Sequence, residues 1–160
     1  MNPPLMRLLS IAFAVLTAAR LHAADARPAQ IALTVESDSL RLTIGTNAQT
    51  LEFTDKASGF NYAAQNPPVA FAKVKQAGKF FTATKAAQSE GRLVLEFGDA
   101  GVSAALKVLG AKHSVTVEVL SVTGDDAEEF VFADVPLTLK GAETEPFAGC
   151  ALALNLLTNV

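Results

Sequence analysis

Arg92-Leu93-Val94-Leu95-Glu96-Phe97-Gly98-Asp99-Ala100-Gly101-Val102-Ser103-Ala104-Ala105-Leu106-Lys107-Val108-Leu109-Gly110 is the stretch that decides the fold. Leu93, Leu95 and Phe97 alternate with Arg92, Val94 and Glu96. Beyond the Gly98–Gly101 turn, Val102, Ala104, Leu106 and Val108 keep the same beat. After Gly110, Val115, Val117 and Val119 alternate with Ser114, Thr116 and Glu118. Successive side chains leave a strand on opposite faces, so a period of two marks strands with one buried side. Short strands separated by Gly-rich turns predict an all-β, mostly antiparallel domain, a β-sandwich or barrel, rather than alternating strands and helices.

Upstream, Ile31, Leu33 and Val35 alternate with Ala32, Thr34 and Glu36, and Leu40, Leu42 and Ile44 alternate with Arg41 and Thr43. These read as two successive strands joined at Ser37-Asp38. Residues 50–55 form a third, with Leu51 and Phe53 inward. Residues 69–74 predict a strand after the Asn66-Pro67-Pro68 interruption, and residues 80–85 another after Gly78. Residues 86–91 read as a mostly polar connection. Downstream, Phe130 and Phe132 alternate inward. Val135, Leu137 and Leu139 continue after a phase shift at Asp134-Val135-Pro136 that suggests a bulge or a change of strand partner. Leu152, Leu154, Leu156 and Leu157 are strand-like, and the sequence is expected to be a piece of a longer protein or to have its last strand completed elsewhere.

The chain has 160 residues, 50% apolar and 18% charged, enough for one domain with a core. The net charge is -3, and such a surface offers no field for a phosphate backbone, so nucleic acid is excluded as a partner. The first residues have the layout of a signal peptide: Arg7, then an uncharged apolar run over residues 8–19, then small residues. That run is short for a membrane span. Cleavage fits after Ala23 or Ala26, with an uncleaved N-terminal anchor as the alternative. The expected division is a helical signal peptide at 1–26 and a β-sandwich domain at 27–160. The mature chain is then secreted or periplasmic and has no membrane span.

Several residue groups invite chemistry. His113 is the one histidine outside the signal segment. It shares the parity of Val115, so it is placed at the start of the apolar face, in a structural role. Zinc would need a second ligand at suitable spacing. Cys150 is the single cysteine, and its apolar neighbours predict a buried small hydrophobe. Asp125, Asp126, Glu128 and Glu129 are dense enough to attract calcium but lack EF-hand spacing, and read as a solvated turn. Glu52, Glu96 and Glu118 fall on outward strand positions, where two of them at about 5–10 Å would suit glycoside hydrolysis. Lys56, Lys73, Lys75, Lys79 and Lys85 read as a solvated face that guards sheet edges. There is no Ser nucleophile elbow, phosphate loop or dinucleotide fingerprint. No catalytic residue, metal or cofactor is assigned.

Residues 31–36 and Ser39-Leu40-Arg41-Leu42-Thr43-Ile44 lead into Leu51-Glu52-Phe53-Thr54-Asp55-Lys56-Ala57-Ser58-Gly59-Phe60. This succession of two strands, a third, and an Asp-Lys-x-Ser-Gly turn resembles the N-terminal β-sandwich of multidomain glycoside hydrolases. That module is similar to the galactose-mutarotase-like supersandwich. The resemblance covers roughly residues 31–140. It implies an accessory domain in a sugar-handling context, beside a C-terminal catalytic domain that would carry the acid and the nucleophile or base. Mutarotases use a histidine pair with a glutamate, and His113 alone does not supply that set. The function expected is therefore an exported, non-catalytic module that supports or binds carbohydrate. The alternative is an extracytoplasmic structural or adhesion domain with a protein partner.

Overall fold

A computed structural model describes residues 30–159. The signal peptide assigned to 1–26, with its helix, lies outside the described residues. Ten strands follow in order: β1 (Ile31–Glu36), β2 (Leu40–Gly45), β3 (Thr50–Asp55), β4 (Ala72–Gln76), β5 (Lys79–Thr82), β6 (Lys85–Ser89), β7 (Arg92–Glu96), β8 (Ser103–Gly110), β9 (Val115–Thr123) and β10 (Ala127–Phe132). A 3-10 turn, Gly98–Ala100, links β7 to β8. Among the described residues no helix is long and apolar enough to cross a membrane.

The strands form three antiparallel sheets, none closed, in the orders β1-β2-β3, β10-β4-β5 and β6-β7-β8-β9. One core serves all three. Val35, Leu42 and Ile44 come from the first sheet, Ala72 and Val74 from the second, and Leu93, Leu95, Ala104, Leu106 and Val108 from the third, with Phe71 and Phe97 between them. The alternation read from residues 92–110 is realised in space: Leu93 sits opposite Leu106, and Leu95 opposite Ala104. Burying such a side chain contributes about 1.5–3 kcal/mol relative to leaving it in water. The alternation within β9 changes phase because Leu120 is an extra residue, set between Val119 opposite Leu106 and Ser121 opposite Ala105. Val122 therefore pairs with Ala104 and packs inward despite its even number.

Four expectations need correction. Residues 80–85 are not one strand: β5 ends at Thr82, and β6 begins at Lys85 in another sheet. Residues 86–91 are not a connection, since most of them belong to β6, which pairs along its length with β7. The polar composition misleads because only Ala86 of β6 is buried. Val135, Leu137 and Leu139 do not continue a strand. β10 stops at Phe132, Ala133 turns at φ 55°, and the one remaining ladder contact is a bridge between Ala63 and Leu137. The leucines at 152–157 are not in a strand either and lie exposed.

Two hairpins show how the chain reverses between neighbouring strands. Ala77-Gly78 between β4 and β5, and Glu90-Gly91 between β6 and β7, all have positive φ. Two-residue loops of that conformation match the right-handed twist of the strands they join.

Candidate functional site

The outward face of the β10-β4-β5 sheet gathers aromatic, basic and acidic side chains. Ala72 and Val74 of β4 point into the core, so Lys73 and Lys75 point out. The register sets Phe80 opposite Lys75 and Thr82 opposite Lys73, on the same face. Phe80 is 51% exposed. Lys73 Nζ stands 5.5 Å from its ring centroid and Lys75 Nζ 6.0 Å. An ammonium at that range is attracted by the ring's negative face. Lys73 also donates to Asp134 at 2.9 Å, and Lys75 lies 3.9 Å from Glu128. The result is a half-exposed aromatic ring with two cations over it and two carboxylates and a hydroxyl close by. At the hairpin end of the same sheet lies an open depression of about 780 Å³, lined by Gln76, Ala77, Lys79, Phe81, Asp126 and Glu128.

Sequence reasoning placed Lys73 and Lys75 on a solvated face but missed their convergence on Phe80. The signal was present in the spacing about Ala77-Gly78. A two-residue loop there makes residues whose numbers sum to 155 cross-strand partners, which pairs 75 with 80 and 73 with 82.

The Asp55–Gly59 turn serves the fold. Asp55 accepts from the Ser58 hydroxyl at 2.6 Å and from the backbone N–H groups of Ser58 and Ala57. These bonds, the Ser58 hydroxyl first, hold its carboxyl below the usual carboxylate range against the opposing effect of burial. Lys56 donates to Glu36 at 3.0 Å and to the Ser37 carbonyl at 3.0 Å. Glu36 also accepts from Arg41 at 2.6 Å, and the Arg41 bond, then the Lys56 bond, lowers its pKa. The turn is thus a clasp across the end of the β1–β2 hairpin.

The other candidates are dispersed. Glu52 lies on β3 and accepts from Thr43 at 2.6 Å, while Glu96 and Glu118 lie on β7 and β9 of a different sheet. The three therefore do not share one sheet surface. Glu96 pairs with Ser103 and Glu118 with Lys107, four residues apart along β8. That separation is about 13 Å along the strand, outside the range for a glycosidase acid pair. Glu96 is further tied to Lys85 at 3.1 Å.

His113 is exposed in the turn between β8 and β9, not on the apolar face. Its parity with Val115 carries no meaning there, because the strand begins only at Val115. Cys150 is free and exposed rather than buried, since the core does not extend to the irregular stretch that holds it. Asp125, Asp126, Glu128 and Glu129 are exposed around the β9–β10 turn, and Glu128 accepts from the Gly78 N–H at 3.1 Å. Among the described residues no group of three or more His, Cys, Asp or Glu is arranged to hold a metal ion.

Tyr62, the single tyrosine, is buried with its ring stacked on Phe147 at 4.9 Å and edge-on to Phe60 at 4.7 Å. Burial, then the charges of Glu145 and Asp55, pushes its phenol above the usual value. Its ring face is taken up by the fold and is not open to a ligand.

These features define an all-β protein of antiparallel sheets. The chain matches no protein-family model, no curated protein and no solved structure.

Proposed function

We propose that this chain is an exported, non-catalytic β-sandwich module of a carbohydrate-active, glycoside hydrolase-like protein, and that it supports or binds glycan. The observation that carries the reading is the half-exposed ring of Phe80 with Lys73, Lys75, Thr82 and Asp134 around it. The C–H face of a sugar ring stacks on an exposed aromatic face, and charged or hydroxyl groups beside it bond the sugar's hydroxyls. Three sheets around one core are compatible with a sandwich of the supersandwich kind, and the strand succession up to the Asp55–Gly59 turn resembles such modules. The acidic side chains are held apart or engaged locally, which favours a supporting role beside a separate catalytic domain. The leader-like residues 1–26 favour a secreted or periplasmic site of action.

A second reading, a structural or adhesion domain with a protein partner, draws on the open edge of β9, where Val119 and Leu120 are exposed. Affinity electrophoresis of residues 27–160 through gels cast with soluble polysaccharides separates the two. Retardation by at least one polysaccharide is expected. Unchanged mobility in every gel would leave the protein-partner reading in its place.

A further inference from the structure

β9 is a lightly guarded edge strand: the bulge at Leu120 interrupts its far end, while residues 115–119 run unbroken. Among the described residues it pairs with β8 alone. Its sequence, Val-Thr-Val-Glu-Val-Leu-Ser-Val-Thr, has no Pro and no Lys, and Glu118 is its one charge. By contrast, edge strands β5 and β6 each open on a lysine, and β10 carries two glutamates. The core side of β9 is also under-covered. Ala104, Leu106 and Val108 of β8 are buried, whereas their cross-strand neighbours are not: Val117 is half-buried and Val119 is 36% exposed.

A second unsatisfied element lies in residues 148–159. They form no strand, and no backbone–backbone hydrogen bond joins them to the rest of the described residues. Leu152, Leu154, Leu156 and Leu157 are three-quarters or more exposed. Ala151-Leu152-Ala153-Leu154-Asn155-Leu156 is uncharged and has three leucines at a period of two. That matches Val115, Val117 and Val119, which also recur at a period of two on one face of β9.

We propose that residues 151–157 of one copy add to the β9 edge of a second copy as an extra strand, reciprocally, to give a two-fold strand-exchanged dimer. Backbone groups of β9 and of the added strand satisfy one another. Leu152, Leu154 and Leu156 lie beside the three valines and cover the open side of the core. Residues preceding the segment are held elsewhere: Phe147 packs on Tyr62 and, at 6.1 Å, on Phe53 of β3, and Asp134 N–H donates to the Phe71 carbonyl. The segment thus departs from beside a different sheet than the one with the open edge, and a second copy meets it without undoing that anchorage. The pairing does not depend on glycan binding.

Size-exclusion chromatography with light scattering on the chain, across a hundredfold range of concentration, tests this. The wild type is expected to be a dimer that dissociates on dilution. Leu154→Asp removes the donor and Val119→Lys blocks the acceptor, and each variant alone is expected to be monomeric. An equimolar mixture of the two regains a dimer with one intact strand exchange. Leu154→Asp alters a side chain that is exposed in the single chain, so it keeps the test sound even if Val119→Lys misfolds by circular dichroism. A wild type that stays monomeric throughout, or a dimer unaffected by Leu154→Asp, overturns the proposal.

Discussion

Lys73 Nζ lies 2.9 Å from a carboxylate oxygen of Asp134, and this contact joins β4 to the chain just after it leaves β10. Both side chains keep about a third of their exposure, so solvent screens the pair. Asp134→Ala is expected to lower stability by about 0.5–1 kcal/mol, read from the urea midpoint. A loss beyond about 3 kcal/mol would mark the pair as a buried one.

The core shared by three sheets makes a stronger demand. Ile44 of β2 and Leu95 of β7 are fully buried in different sheets. Ile44→Ala and Leu95→Ala should each cost about 2–5 kcal/mol in chemical denaturation. They should lower the same single transition. Two separate transitions, each moved by one variant, would mean the sheets do not share one cooperative core.

Gly110 at the end of β8 abuts β1. A Cβ built there would overlap the Glu36 carbonyl. Backbone cannot swing aside as a flexible side chain does, so Gly110→Ala should cost about 3 kcal/mol in urea unfolding. Gly59 has open space around it, and Gly59→Ala should cost only about 1 kcal/mol, from its positive φ of 72°. Equal losses at the two sites would contradict this account of how β1 rests on β8.

The carboxyls of Asp55 and Glu36 are both lowered in the folded state. Their contribution to stability is therefore complete above the unfolded value of about 4 and is lost as pH falls through the lower folded values. Urea midpoints measured between neutral and strongly acid pH should fall most steeply below about pH 4. Asp55→Asn should flatten that fall. An unchanged acid limb in the variant would show that the turn's bonds to Asp55 do not bias its protonation.

How much of this was legible varies by element. Residues 92–110 announced their strands because Leu93, Leu95, Leu106 and Val108 must all reach one core, and a period of two is the only way a strand does that. β6 was hidden because Lys85-Ala86-Ala87-Gln88-Ser89 buries a single alanine. Its strand is imposed by pairing with β7, which local composition does not encode. At residues 152–157 the pattern is present but the partner strand is not, so alternation alone overstated the structure. The candidate surface was half legible. The lysines were visible, but the ring they flank depends on a hairpin register set by Ala77-Gly78.

His113 gives a simple check on the non-catalytic reading. It is exposed in a turn, so His113→Ala should change stability by no more than about 0.5 kcal/mol in urea unfolding. The purified chain, wild type or variant, should turn over no glycoside.

Glycan-array binding of residues 27–160, wild type beside Phe80→Ala, tests most directly the central claim that the Phe80 face binds glycan. The account predicts a defined set of bound glycans that Phe80→Ala loses while its circular-dichroism spectrum stays that of a β protein. Binding that survives Phe80→Ala unchanged, or a wild type that binds no glycan, would contradict it.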